Sequence, residues 1–335
     1  MPKHIGKLFR HPSVILGLCV WGGWLTYMFS MNAWYLFDDY AFISLTMAFA
    51  SFIAGATSEG GGAVAFPVLT IFFDIKPSIA RDFSLAIQSV GMSAATFAIF
   101  VSKIPVERQA LFYATLGGIP GALLGLYGIA PYMSPVYTKM FFVSLWLSFG
   151  VVIAYRHLFS TKTSNKKIRD YSFSVKGQLV MLGLIGGTVT GITGSGIDIV
   201  VFSYLVLQHR VDIRIATPTS VVLMAGNALI AMSMRLLGSQ PIEAITWNYW
   251  LVSIPIVVIG APLGAKFIAT RSNQFVAGLL CTIICVQFVG ALFIVPQSIE
   301  SILLTGITFA LGFILFSGFV HKTIARRKSN QTPRG

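Results

Sequence analysis

The sequence predicts an all-α, polytopic membrane protein, and three observations carry that prediction. Only 10% of its 335 residues are charged and 55% are hydrophobic, with a mean hydropathy of +0.78, whereas a soluble globular domain carries about 25% charged residues. Apolar windows of the length that spans a bilayer, about 20 residues, follow one another almost end to end. Two of these windows are interrupted by glycine in the same manner, 196 − 60 = 136 residues apart.

In chain order the windows run over 13–35, 40–57, 63–74, 81–101, 108–129, 135–157, 176–193, 197–207, 213–237, 245–269, 273–295 and 298–320. The first follows Lys3, Lys7 and Arg10, as the core of a signal sequence would. Its apolar run, Ser13 to Tyr35, exceeds the roughly 7–15 residues of such a core, and no small-x-small site follows, so residues 12–36 are expected to stay as an N-terminal transmembrane helix. A first transmembrane repeat then covers 40–157, a basic loop 158–175, a second repeat 176–296, a C-terminal helix 298–321 and a basic tail 322–335. Each repeat is expected to hold one Gly-broken or re-entrant segment plus three transmembrane helices.

The formal net charge of +13 would suggest nucleic acid in a soluble protein. Here the basic residues gather in the tails and in the 156–176 region (Arg156, Lys162, Lys166, Lys167, Arg169, Lys176), which the positive-inside rule explains without any nucleic acid. Cys19, Cys281 and Cys285 all lie in apolar windows and imply no disulfide framework. The i, i+4 pair Cys281 and Cys285 reads first as buried packing.

The glycine breaks define the repeat. At a constant offset of 136, residues 55–88 align with 191–224 without a gap, and nine of 34 positions are identical, among them Gly55/Gly191, Thr57/Thr193, Gly60/Gly196 and Ser84/Ser220. Pro105/Pro241 and Glu107/Glu243 keep the register, and "GALLG" (121–125) matches "GAPLG" (260–264) after a three-residue slip. In both copies the piece after the break has about 12 residues, or about 18 Å of helix against a hydrocarbon core of about 30 Å. If each broken segment crossed once, the basic loop would face the side opposite the N-terminus. If each folds back, or crosses twice, Lys103, Arg108, the loop, His209–Arg214, Lys266, Arg271 and both tails share the inner side, and 38–39, 130–134, 239–243 and 296–300 the outer one. Lys76 on the outer side is the exception. The repeats are then inverted, the arrangement of secondary transporters with a midplane site.

Irregular backbone at membrane depth is tolerated where it is buried or lines a cavity. The breaks at Gly60, Gly61 and Gly62 and at Gly194 and Gly196 are therefore expected to meet near the membrane centre and to aim backbone N–H groups at a small anion. Thr57, Ser58, Thr193 and Ser195 flank the breaks, and Ser84, Thr219 and Ser220 lie in the helices that follow. Their hydroxyls can bond an oxyanion or their own helix backbone. Glu59 and Asp198 sit at the tips, where an acid can carry a coupling proton or cation, or can brace the turn. Arg81 can attract an anion at the mouth or snorkel, and as a neighbour on the helix Asp82 is no obvious partner for it. Lys139, Arg235 and Lys266 read as snorkelling, and Gly117, Gly118, Gly121 and Gly125 as close helix packing.

The paired segments "GATSEGGGAVAFPVL" (55–69) and "GITGSGIDIVVFSYL" (191–205), followed by "ARDFS" (80–84) and "ATPTS" (216–220), resemble the sulfite exporter TauE/SafE family of membrane permeases over about 40–295. The resemblance implies a carrier of sulfite, organosulfonates or related sulfur oxyanions, driven by a proton or ion gradient. Phe83 where the second half has Thr219, and Arg81 and Asp82 where it has Thr217 and Pro218, put a symmetric site in doubt.

The partners expected are a small anion, a coupling proton or cation and the lipid bilayer of a cell membrane, with both termini cytoplasmic. Whether two copies form a homodimer is not legible in the sequence. No cofactor or metal is expected, since no Walker lysine follows a glycine cluster and no metal-ligand spacing occurs. An enzyme is disfavoured because His4, His11, His157, His209 and His321 lie in tails or near loop ends, away from any candidate serine. A passive anion channel of the same fold and a non-transporting scaffold are the alternatives.

Overall fold

A computed structural model describes residues 12–57, 60–159, 165–168, 170–268, 271 and 273–331. Ser58 and Glu59, two of the expected site residues, lie outside the described residues, as do the ends of both tails. The helices are α1 (Pro12–Ser30), α2 (Leu36–Ala56), α3 (Gly60–Pro67), α4 (Pro77–Val101), α5 (Arg108–Leu123) and α6 (Pro135–Phe159), then α7 (Phe173–Thr193), α8 (Ile197–Ser203), α9 (Ile213–Leu237), α10 (Ala244–Ile268), α11 (Asn273–Ile294) and α12 (Ile299–Gln331). Nine spans among the described residues are long and apolar enough to cross a membrane. The protein is an all-α, multi-pass membrane protein.

The 136-residue offset recurs in the backbone. Helices α4 and α9 begin and end that far apart, and α3 and α8 run into π-helical turns, Val68–Phe72 and Tyr204–Gln208, at the same offset. Phe73 N donates to Val68 O and Ile75 N to Leu69 O, and correspondingly His209 N donates to Tyr204 O and Val211 N to Leu205 O. Asp74 and Arg210 then both take a positive φ, 48° and 55°. The wider turn ends each short helix the same way, so the repeat extends to hydrogen bonds that residue identity does not display.

Both broken segments fold back. The Phe42 ring near the start of α2 lies 4.6 Å from Phe73 just after α3. At the matching positions, Gln178 Oε1 accepts from Tyr204 Oη at 3.0 Å and from Gln208 Nε2 at 2.9 Å. The chain thus enters and leaves each segment at one end, with one leg of membrane length (21 residues in α2 and in α7) and a shorter return.

Helices α4 and α9 pack antiparallel in the interior. Met92, Ala95 and Ile99 share one apolar cluster with Val221, Met224 and Ala225, while Leu85 and Ala86 share another with Ala231 and Met232. Each hairpin's long leg packs on a helix of the other repeat, α7 on α5 and α2 on α10. Small residues set that approach, as expected: a Cβ at Gly121 or Gly125 would lie 2.2 Å from Leu184 O or Thr188 O. The slipped partners do the same work, since a Cβ at Gly260 or Gly264 would lie 2.0 Å from Ser51 Oγ or Phe52 O. Helix α1 is tied to α10 by two indoles, Trp24 Nε1 to Leu251 O at 2.8 Å and Trp21 Nε1 to Pro255 O at 3.2 Å, and α12 packs on α6. Cys281 packs partly buried against the core and donates to Gly150 O at 3.6 Å, as the packing reading expects, whereas Cys285 is exposed and departs from it.

The loops sort into two sets. At one end Lys76 faces Glu243, Arg235 donates to Gln240 O and Tyr137 donates to Glu300. At the other, Asn165 bridges Val211 and donates to His209 O, while Glu107 accepts from Ile168 N and Tyr171 Oη. These contacts join loops that charge parity assigns to the same side, and Glu243 gives the exceptional Lys76 an acidic neighbour.

Candidate functional site

The second glycine break is described in full. Helix α7 stops at Gly194, whose φ of +87° is open to glycine and strained for other residues. A Cβ there would sit 2.7 Å from Ser84 Cβ and 2.9 Å from Arg81 O, so the turn is pressed against the start of α4. Gln88, one turn beyond Ser84, donates from Nε2 to Gly194 O at 2.9 Å. Arg81, Ser84 and Gln88 are spaced i, i+3, i+7 and share one helix face. That spacing was a usable signal for Gln88, which the sequence reading passed over.

The hairpin's own N–H groups are not aimed at a common anion site, contrary to expectation. Gly196 N donates to Asp198 Oδ1 at 2.9 Å and Ile197 N donates to Thr190 Oγ1 at 3.1 Å. Ser195 Oγ lies 3.4 Å from both Asp198 oxygens, and Thr193 Oγ1 lies within bonding distance of Val189 O and Ser195 O. Buried N–H groups must find acceptors, and in an apolar interior the nearest ones are these side chains. Asp198, fully buried, therefore braces the turn.

Gly194 touches α4 at Arg81 and Ser84, whereas Ala54, near the end of α2, shares a cluster with Met92, Ala95 and Ile99. From Ser84 to Ala95 is about 16 Å of helix rise. At the first break Thr57 is buried and donates to Ile53 O, and Gly60, Gly61 and Gly62 open α3. Thr219 accepts from Glu107 N at 3.0 Å and donates to Ile215 O, and Ser220 donates to Thr217 O. Thr219 thus ties the Glu107 loop to α9, while Ser220 bonds within its own helix.

Near the loops that hold Lys76 and Gln240 lies a buried charge cluster. Asp82 Oδ1 accepts from Arg81 Nε at 2.9 Å and from Arg235 Nε at 3.0 Å, and Asp82 Oδ2 accepts from Arg235 Nη2 at 2.7 Å. All three residues are less than 9% exposed. Arg81 and Asp82 are thus a pair after all, because the long arginine side chain curls back to its neighbour, and Arg235 is an ion-pair partner that does not snorkel. Lys139 likewise reaches Asp74 at 2.8 Å, while Lys266 is exposed as expected. Two arginines share one carboxylate, so the cluster carries a net positive charge. Arg81 also lines a cleft of about 270 Å³ with Lys76, Ser78, Thr138, Gln240 and Ile192, the last of them two residues before Gly194 in the chain.

No group of three or more His, Cys, Asp or Glu residues that could hold a metal occurs among the described residues. Membrane-length helices packed around two broken segments make this a multi-pass membrane protein. The chain belongs to the sulfite exporter TauE/SafE family, whose model matches residues 43–291. Neither the curated proteins nor the solved structures compared with it give a match.

Proposed function

We propose that this protein is a secondary transporter of small sulfur-containing anions, of which sulfite and organosulfonates are the candidates, coupled to a proton or ion gradient across a cell membrane. Family membership supports the permease and the sulfur anion. The observation that carries the site is the net cationic Arg81–Asp82–Arg235 cluster, whose Arg81 both lines the cleft and packs against Gly194. In low dielectric such a charge attracts an anion far more strongly than in water. The two halves are proposed to be inverted repeats with both termini cytoplasmic, which the 136-residue recurrence and the sorting of loops support. Arg81 and Ser84 are the proposed anion ligands at the second break, and Thr57 and the residues beside Gly60 take that part at the first. Coupling is assigned to Glu59 in preference to Asp198, whose oxygens are already committed to Gly196 and Ser195.

Uptake of labelled sulfite and sulfonates by proteoliposomes, with and without an imposed pH gradient, tests this reading. Gradient-driven flux lost in Glu59→Gln and retained in Asp198→Asn supports it, because asparagine can still accept from Gly196 N. Flux that ignores the gradient and both substitutions points to a channel. No flux of any sulfur anion through folded protein overturns the substrate assignment.

A further inference from the structure

The interior beside the second break holds polar atoms that the fold leaves unmet. Ser84 Oγ and Gln88 Oε1, on adjacent turns of α4, are buried and have no hydrogen-bond partner among the described residues. Asn227 on α9 is 1% exposed, and neither Oδ1 nor Nδ2 is bonded. It stands on the other side of the break, since a Cβ placed on Gly118 would lie 2.9 Å from Asn227 Oδ1 and 2.6 Å from Ile197 Cδ1. Buried polar groups are almost always satisfied, and each exception calls for a reason. The hairpin backbone offers none, because its N–H groups are taken by Asp198 and Thr190.

The amide of Gln88 is the informative one. Its NH2 end faces the Gly194 carbonyl, and turning it over would set two oxygens against each other. Oε1 is therefore held as an acceptor, and an acceptor recognises a donor. A fully deprotonated oxyanion has acceptors alone and would leave Gln88 Oε1 buried and unmet. Ser84 can donate to an anion oxygen, and Arg81, three residues before it, supplies the positive charge.

The geometry points to Gln88 as a specificity-determining residue that selects sulfur oxyanions bringing their own O–H or N–H group, with Ser84 binding the oxyanion. This inference rests on the carrier function proposed above. The donor can be a hydroxyl or amine on the organic tail of a sulfonate, or the acidic proton of a singly charged oxyanion. In the other repeat the position matching Gln88 is Met224, so the chain itself supplies a side chain of similar length without the acceptor.

The test compares 2-hydroxyethanesulfonate with propanesulfonate, which match in size and charge and differ in the donor, at fixed pH in proteoliposomes of the full chain, with sulfite as a third substrate. Wild type is expected to favour the hydroxylated anion by about tenfold or more, since a buried acceptor left unmet is costly. Gln88→Met should bring the ratio to within about twofold by raising or sparing propanesulfonate flux, a change that general misfolding would not produce. Ser84→Ala should lower both sulfonates by similar factors and leave the ratio intact. A tenfold fall of sulfite flux in Gln88→Met would place the donor on the acid proton, and unchanged sulfite flux would place it on the organic tail. Equal uptake of the two sulfonates by wild type, or a ratio that survives Gln88→Met, overturns the role of Gln88 and leaves the carrier standing. Failure of wild type to move sulfite or either sulfonate overturns the carrier reading and this inference with it.

Discussion

At the scale of single residues, charge pairing inside the bilayer sets the largest expected effects. Asp82→Asn leaves Arg81 and Arg235 buried without their carboxylate. Removing one partner of a buried pair costs about 3–5 kcal/mol, so the melting temperature in detergent should fall by many degrees, whereas Lys266→Gln at an exposed site should leave it unchanged. Melting that is insensitive to Asp82→Asn would mean that the cluster does not hold α4 to α9. Outside the spans, Asp74 has its carboxyl held below the usual range by the hydrogen bond and charge of Lys139. A depressed carboxyl stabilises the fold above its unfolded value and loses that contribution as pH falls through the folded one. Acid titration of thermal stability below about pH 4 should therefore show a component that Asp74→Asn removes.

At the scale of elements, the breaks and crossings depend on the missing Cβ. Gly194→Ala meets both a strained φ and the Ser84 side chain, so it is expected to displace the turn and abolish flux even where folded protein is recovered. Gly22→Ala, with nothing within 4 Å, serves as the neutral control. Gly125→Val should part α5 from α7 and lower the yield of monodisperse protein, and Gly264→Val should do the same to α2 and α10. An effect at one crossing alone would argue against equal work by the two repeats. Most interior element boundaries were marked in the sequence, because in lipid every backbone group must be met within the helix, whereas α1 ends at Ser30, short of its apolar window, and α12 runs on to Gln331 through the basic tail. The π turns were not marked, since a wider turn changes hydrogen bonding without needing a distinctive residue.

At the scale of the whole molecule, loop grouping predicts labelling. With Cys19, Cys281 and Cys285 replaced, a cysteine introduced at Ser239 should react with an impermeant reagent from outside intact cells, and one at Ser102 should react only after permeabilisation. The reverse pattern, or labelling of both from one side, would refute the inverted arrangement. The sequence by itself determined the class, the 136-residue recurrence and the packing glycines, because these rest on period and composition, which are local or additive along the chain. Only the tertiary structure decided the chemistry of the interior. It joined Arg235 to Asp82 across 153 residues, turned Thr219 and Asp198 into braces and left Gln88 facing Gly194. Which donor meets which acceptor in a medium without water depends on three-dimensional proximity, and no pattern along one chain encodes it.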